Sequence, residues 1–156
     1  MKFIIVLFVS GFFIFNLSSG QITEAENGLF YASNDLNQPY NGIYREYYNN
    51  GSLKLEINLK DGVLEGNYKV YFSNGQINET RSYHNGLFHG VWSSWNENGV
   101  KLGEASYKQN KKHGKWYIWD ENGTKRFEME YRKGKKKGTW LQWDEHGNVI
   151  KEEHFD

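Results

Sequence analysis

The sequence predicts an all-β chain, an elongated, single-layer antiparallel sheet built of successive β-hairpins. Three observations carry that prediction. Gly42, Gly66, Gly90, Gly114 and Gly138 stand 24 residues apart, as do Gly51, Gly75, Gly99, Gly123 and Gly147, and self-similarity at one period marks a repeat fold. Asn-Gly, the strongest short hairpin signal, recurs at equivalent places: 50–51, 74–75, 98–99 and 122–123. Between turns, apolar and polar residues alternate with the period of a strand, as in Leu53, Leu55, Ile57 and Leu59 against Lys54, Glu56, Asn58 and Lys60. Composition agrees, since 17% aromatic residues, 17 Gly and 1 Pro suit pleated strands and tight turns better than helices.

Met1-Lys2, the apolar run from Phe3 to Phe15 and the small residues Ser18-Ser19-Gly20 have the layout of a cleaved export signal, 1–20, with a cut near Gly20. The run is short for a membrane-spanning helix. The expected location is therefore outside the cytoplasm, periplasmic or secreted. Residues 21–41 hold Asn27-Gly28, Leu29-Phe30-Tyr31 and Pro39-Tyr40-Asn41 with spacing one residue off the period, and read as a capping half-repeat. Five units follow, 42–65, 66–89, 90–113, 114–137 and 138–156. In the Asn-Gly turns both residues are expected at positive φ, as a two-residue hairpin requires.

Two aromatic columns keep the same period: Tyr44, Tyr68, Trp92, Trp116, Trp140 and Tyr47, Tyr71, Trp95, Trp119, Trp143. Members three residues apart point to opposite faces of a regular strand. Either a bulge near Gly90 rotates one of each pair, or the sheet carries aromatic rings on both sides. The apolar face has to be closed by curling of the sheet, by a second copy of the chain in a homodimer, or by a partner.

The units 66–75 (Gly-Asn-Tyr-Lys-Val-Tyr-Phe-Ser-Asn-Gly) and 114–123 (Gly-Lys-Trp-Tyr-Ile-Trp-Asp-Glu-Asn-Gly), with Tyr131-Arg-Lys-Gly134-Lys-Lys-Lys-Gly138, resemble the bacterial 24-residue variant of MORN repeats. That form occurs in proteins described as YwqK-type antitoxins of toxin–antitoxin systems. The resemblance implies a scaffold or binding surface of successive hairpins, associated with protein contacts and membrane-lipid proximity. An antitoxin-like neutraliser is the alternative it implies, although an export signal departs from a cytoplasmic antitoxin.

For function, the absence of cysteine excludes disulfides, a thiol nucleophile and Cys-ligated metal. No nucleophile elbow or Ser-His-Asp pattern stands out, so no catalytic residue, cofactor or metal is assigned. His89 and His113 share a column, but equivalent positions on neighbouring hairpins lie about 10 Å apart, too far for one ion. Two binding candidates remain. Trp92, Trp95, Trp116, Trp119, Trp140 and Trp143 form an aromatic strip in the last three units, which packing alone would also explain. Lys111, Lys112, Lys115, Lys133, Lys135, Lys136 and Lys137 gather along one long edge, with Asp120, Glu121, Asp144 and Glu145 on the other. Solubility alone would also explain that edge. The net charge of +0 and the expected export argue against nucleic acid. The expected partner is a protein, or else an anionic envelope lipid or polysaccharide.

Overall fold

The computed structural model describes residues 22–33 and 35–156, so the export signal expected at 1–20 lies outside the described residues. Three short strands, β1 (Ile22–Glu24), β2 (Phe30–Ala32) and β3 (Asp35–Pro39), form a sheet of their own. The rest is an eleven-stranded antiparallel sheet: β4 (Gly42–Tyr47), β5 (Leu53–Lys60), β6 (Val63–Tyr71), β7 (Ile77–His84), β8 (Leu87–Phe88), β9 (Gly90–Trp95), β10 (Lys101–Lys108), β11 (Lys111–Trp119), β12 (Lys125–Arg132), β13 (Lys135–Trp143) and β14 (Val149–Phe155). Within each sheet every strand pairs with its sequence neighbours, except that β8 and β9 both pair with β7. The fold is the all-β array of hairpins that the period demands, without helix among the described residues.

The turns differ from expectation. At the repeated Asn-Gly sites three residues, not two, separate the closing pair. Tyr48 donates its N–H to the Ser52 carbonyl at 2.9 Å, and Phe72 to Gln76 at 2.8 Å. A three-residue loop needs one left-handed residue, the glycine. Accordingly Gly51 has φ 83° while Asn50 stays at negative φ and uses its side chain, accepting the Ser52 N–H at 3.0 Å. The two-residue turns with both central residues at positive φ lie on the opposite edge, at Asp61-Gly62, Asn85-Gly86, Gln109-Asn110 and Lys133-Gly134. Asn110 takes the glycine place because Asn tolerates the left-handed region.

Gly66, Gly90, Gly114 and Gly138 also carry positive φ, and beside Gly66 and Gly114 the pairing slips, between Ile57 and Leu59 and between Ala105 and Tyr107. At Gly90 the partners of β7 likewise slip, from Tyr83↔Phe88 to Thr80↔Ser93, so the suspected bulge is real, yet the aromatic columns still diverge. Trp92, Trp116 and Trp140 join one face. Trp119 stacks with Tyr117 at 5.6 Å, and Tyr117 is paired with Glu128 on the other.

On the first face the rings interleave between units. Tyr83, Trp92, Tyr107, Trp116, Tyr131, Trp140 and Phe155 form a continuous row with centroids 4.7 to 5.8 Å apart, all tilted or edge-on. Contacts of this kind contribute about 0.5–1.5 kcal/mol each beyond burial. The indoles are pinned as well: Trp92, Trp116 and Trp140 donate Nε1–H to the carbonyls of Ser82, Ser106 and Glu130 at 3.0 to 3.2 Å. Trp92 is 4% exposed and Trp116 7%, so this row is its own core. At the N-terminal end Tyr44, Leu55, Ile57 and Leu59 are buried, with Ile22 of β1 and Phe30 of β2 packed against them. Phe30 donates its N–H to the Gly62 carbonyl at 2.8 Å, tying the small sheet to the large one. Ile22 and Phe30 of the small sheet therefore cover part of the apolar cluster at that end.

Candidate binding surface

The basic edge is built on backbone before any lysine is placed. In each two-residue turn the second residue donates its N–H across to the preceding unit: Gly62 to Tyr40, Gly86 to Leu64, Asn110 to Phe88 and Gly134 to Lys112, at 2.8 to 3.1 Å. This tip-to-tip ladder holds successive connections in register, so side chains at equivalent positions recur about every 10 Å, two strand spacings. Asn110 reinforces it by accepting the Phe88 N–H on Oδ1 at 2.7 Å.

On that frame the last two connections carry Lys108, Lys111, Lys112, Arg132, Lys133, Lys135, Lys136 and Lys137. None of these eight takes part in an ion pair among the described residues. Away from the connections the cations are paired: Arg45 and Lys69 with Glu56, Lys54 with Glu46, Arg81 with Glu79, Lys101 with Glu104, Lys115 and Lys125 with Glu128, Arg126 with Asp120, and Lys151 with Glu153. Lys115, expected on the basic edge, belongs to this second group. Its bond to Glu128 at 2.9 Å raises its own pKa and lowers that of the carboxylate.

Lys112 and Lys136 turn inwards. The Nζ of Lys112 lies 4.3 Å from the Trp116 ring centre and 4.8 Å from that of Tyr131. Lys136 lies 4.3 Å from Trp140 and 4.6 Å from Phe155. Burial against the rings lowers the Lys112 pKa and raises that of Tyr131. Further along the row it pushes Tyr107 up to about 12.

The six tryptophans do not form one strip. Trp92, Trp116 and Trp140 belong to the packed row, whereas Trp95, Trp119 and Trp143 are half-buried on the other face. There lysines alternate with the rings: Lys101 lies over Trp95 and Trp119 at 5.8 and 5.7 Å, and Lys125 over Tyr117 and Trp143, both at 5.2 Å.

With this geometry in view, the MORN repeat variant family model matches residues 40–61, 64–85, 88–109, 112–133 and 136–156, more than half of the chain. The chain belongs to the MORN repeat variant family. The matched MORN units begin two residues before the glycines that open the units expected from the period, and so begin on Tyr40, Leu64, Phe88, Lys112 and Lys136. No curated protein matches the chain. MORN repeats are a non-catalytic repeat type and suggest a scaffold.

Elsewhere on the MORN array the acidic edge is largely occupied by its own turns. Asp120 accepts the N–H groups of Asn122 and Thr124 at 3.0 and 2.9 Å, and Asp144 those of His146 and Asn148 at 2.9 and 2.8 Å. His89 and His113 each keep a buried Nδ1 without a hydrogen-bond partner, and no group of three metal-ligating residues occurs among the described residues. One polar pair on the aromatic face escaped sequence reading. Arg81 makes two bonds to Glu79 at 2.7 and 2.8 Å, and its guanidinium lies 5.0 and 5.1 Å from the Tyr68 and Trp92 ring centres. The signal was present, because Leu55/Ile57 and Phe127/Met129 fill the same places in other units.

Proposed function

We propose that this chain is an exported, non-enzymatic MORN scaffold that binds an acidic macromolecular partner along its basic edge. The observation that supports this most is the contrast in pairing. Cations away from the connections between units are neutralised by carboxylates, while the eight at the last two connections have none and stand on a hydrogen-bonded backbone ladder. Unpaired like charges in a fixed row repel one another and are relieved by an anionic partner. A pre-ordered row also lowers the entropy lost on binding.

The test is co-purification from the producing cell with two charge-reversed proteins. Lys133→Glu/Lys135→Glu/Lys137→Glu alters the basic edge, and Glu97→Lys/Glu121→Lys/Glu145→Lys alters the opposite one. The reading expects one component to be lost with the first variant and kept with the second. Identical recovery with both would overturn it. Export is checked on the same material by the mass of its N-terminus, expected to begin at Gln21.

A further inference from the structure

The column that opens each matched unit is the one whose chemistry changes along the array. Tyr40, Leu64 and Phe88 are apolar and pack on the aromatic face, and Phe88 lies 4.4 Å from Trp92 and 5.5 Å from Tyr107. In the next two units the same place holds Lys112 and Lys136. A lysine there keeps its stem along the rings and sets an ammonium over them, and the distances to Trp116, Tyr131, Trp140 and Phe155 show that this is what happens. Neither ammonium has a carboxylate partner among the described residues. They recur about 10 Å apart, two strand spacings. Ring order along the row is Tyr107, Trp116, Tyr131, Trp140, Phe155. Lys112 thus caps the Trp116–Tyr131 pair and Lys136 the Trp140–Phe155 pair, and the phenol hydroxyls of Tyr107 and Tyr131 make no hydrogen bond to another described residue.

We propose that this row is a binding site for an acidic polysaccharide in which carboxylated and neutral sugars alternate. Carboxylates on every second sugar meet Lys112 and Lys136, and the hydroxyls of the intervening sugar meet the Tyr131 phenol. The proposal rests on the basic-edge reading and names the ligand class for it.

Competing occupants fit the same surface less well. A peptide laid on the face finds the backbone groups of the inner strands already committed to the ladder, and extended peptides add at sheet edges for that reason. Single-stranded nucleic acid needs free ring faces for its bases, whereas these rings pack against one another at 5.0 to 5.2 Å. A bilayer is gripped by apolar side chains inserted beside the basic ones, but the tips here are Gln109-Asn110 and Lys133-Gly134. A sugar chain needs neither backbone partners nor insertion, only spaced charges and hydroxyl-binding groups.

Calorimetric titration of the purified protein tests this with four probes: hyaluronan, as an alternating uronate polymer, its carboxyl-reduced form, polyglutamate, and phosphatidylglycerol vesicles. Lys112→Phe/Lys136→Phe installs the residue that the array itself uses at Phe88, so the face stays covered. Its far-ultraviolet circular dichroism checks the fold. Hyaluronan is expected to bind best, to lose about tenfold in affinity per lysine removed, and to keep its affinity in Lys112→Arg/Lys136→Arg. Undiminished binding by a folded Phe variant, equal binding of the carboxyl-reduced polymer, tighter binding of polyglutamate or vesicles, or no binding of any probe would each overturn the proposal. Loss of hyaluronan binding in Lys133→Glu/Lys135→Glu/Lys137→Glu alone, with the Phe variant unaffected, would overturn it while leaving the basic-edge reading in place.

Discussion

Trp116 and Trp119 are three residues apart on one strand, and the structure gives them unequal work. Trp116 is 7% exposed, sits between Tyr107 and Tyr131 at 5.1 and 5.2 Å, and donates its indole N–H to Ser106 at 3.0 Å. Truncating it to alanine removes roughly 200 Å² of buried aromatic surface, about 5 kcal/mol at ~25 cal/mol per Å². That agrees with the ~3–5 kcal/mol seen for aromatic-to-alanine changes in cores. The loss is comparable to the whole stability of an ordinary domain, ~5–15 kcal/mol. Because each repeat touches only its neighbours, the break should also split the unfolding transition. Trp119→Ala, on the half-buried outer face, should cost about 1–2 kcal/mol and leave one transition. Urea unfolding followed by far-ultraviolet circular dichroism, with calorimetry to count transitions, measures both. Equal costs for the two variants, or a Trp116→Ala cost below about 1 kcal/mol, would refute the assignment of the two columns to different faces.

Three further outcomes are expected. Arg81→Met leaves Glu79 half-buried and unpaired and should cost about 2–3 kcal/mol, whereas Glu79→Phe/Arg81→Met, copying Phe127 and Met129, should be neutral or stabilising in the same urea assay. Gly90→Ala should destabilise more than Gly75→Ala in thermal unfolding. Both sit near φ 85° (84° and 86°), but an added Cβ at Gly90 meets Ser82 Oγ at 3.1 Å and one at Gly75 meets nothing within 4 Å. Glu56, Glu65 and Glu128 have carboxyls held below the ordinary 4.5. The causes are chiefly the hydrogen bonds from Arg45, the Asn85 N–H and Lys115 respectively. A depressed folded pKa stabilises fully above the ordinary value and that contribution is lost as pH falls through the folded one. The melting temperature should therefore fall on acidification below pH 4.5, with a shallower slope in Glu128→Gln.

Much of this was legible in the sequence because a repeat states its period many times over. The hairpins, their order and the two charged edges follow from glycine spacing and alternation alone. What failed did so for local reasons. Asn-Gly is the same dipeptide in a two- and a three-residue loop, and only strand register decides which residue goes left-handed, so the turn types were placed on the wrong edge. Parity counting cannot follow a side chain past a bulge, which hid the inward turn of Lys112 and Lys136 and the pairing of Lys115 across the outer face. The N-terminal segment departs from the period, and nothing in its spacing announces that Ile22 and Phe30 pack on the cluster of Tyr44, Leu55, Ile57 and Leu59. The Glu79–Arg81 pair broke the apolar pattern visibly, but partnership on one strand at a separation of two is a matter of rotamers.

The claim that the array binds through its basic edge is tested most directly by photo-cross-linking in the producing cell. A cross-linking residue is placed singly at positions 111 and 135 on the basic edge, 97 and 121 on the acidic edge, and 117 on the outer face. The account predicts adducts of one common mass shift from 111 and 135 and none from 97, 121 or 117. Adducts concentrated at 97 and 121, or an equal yield from every position, would contradict it.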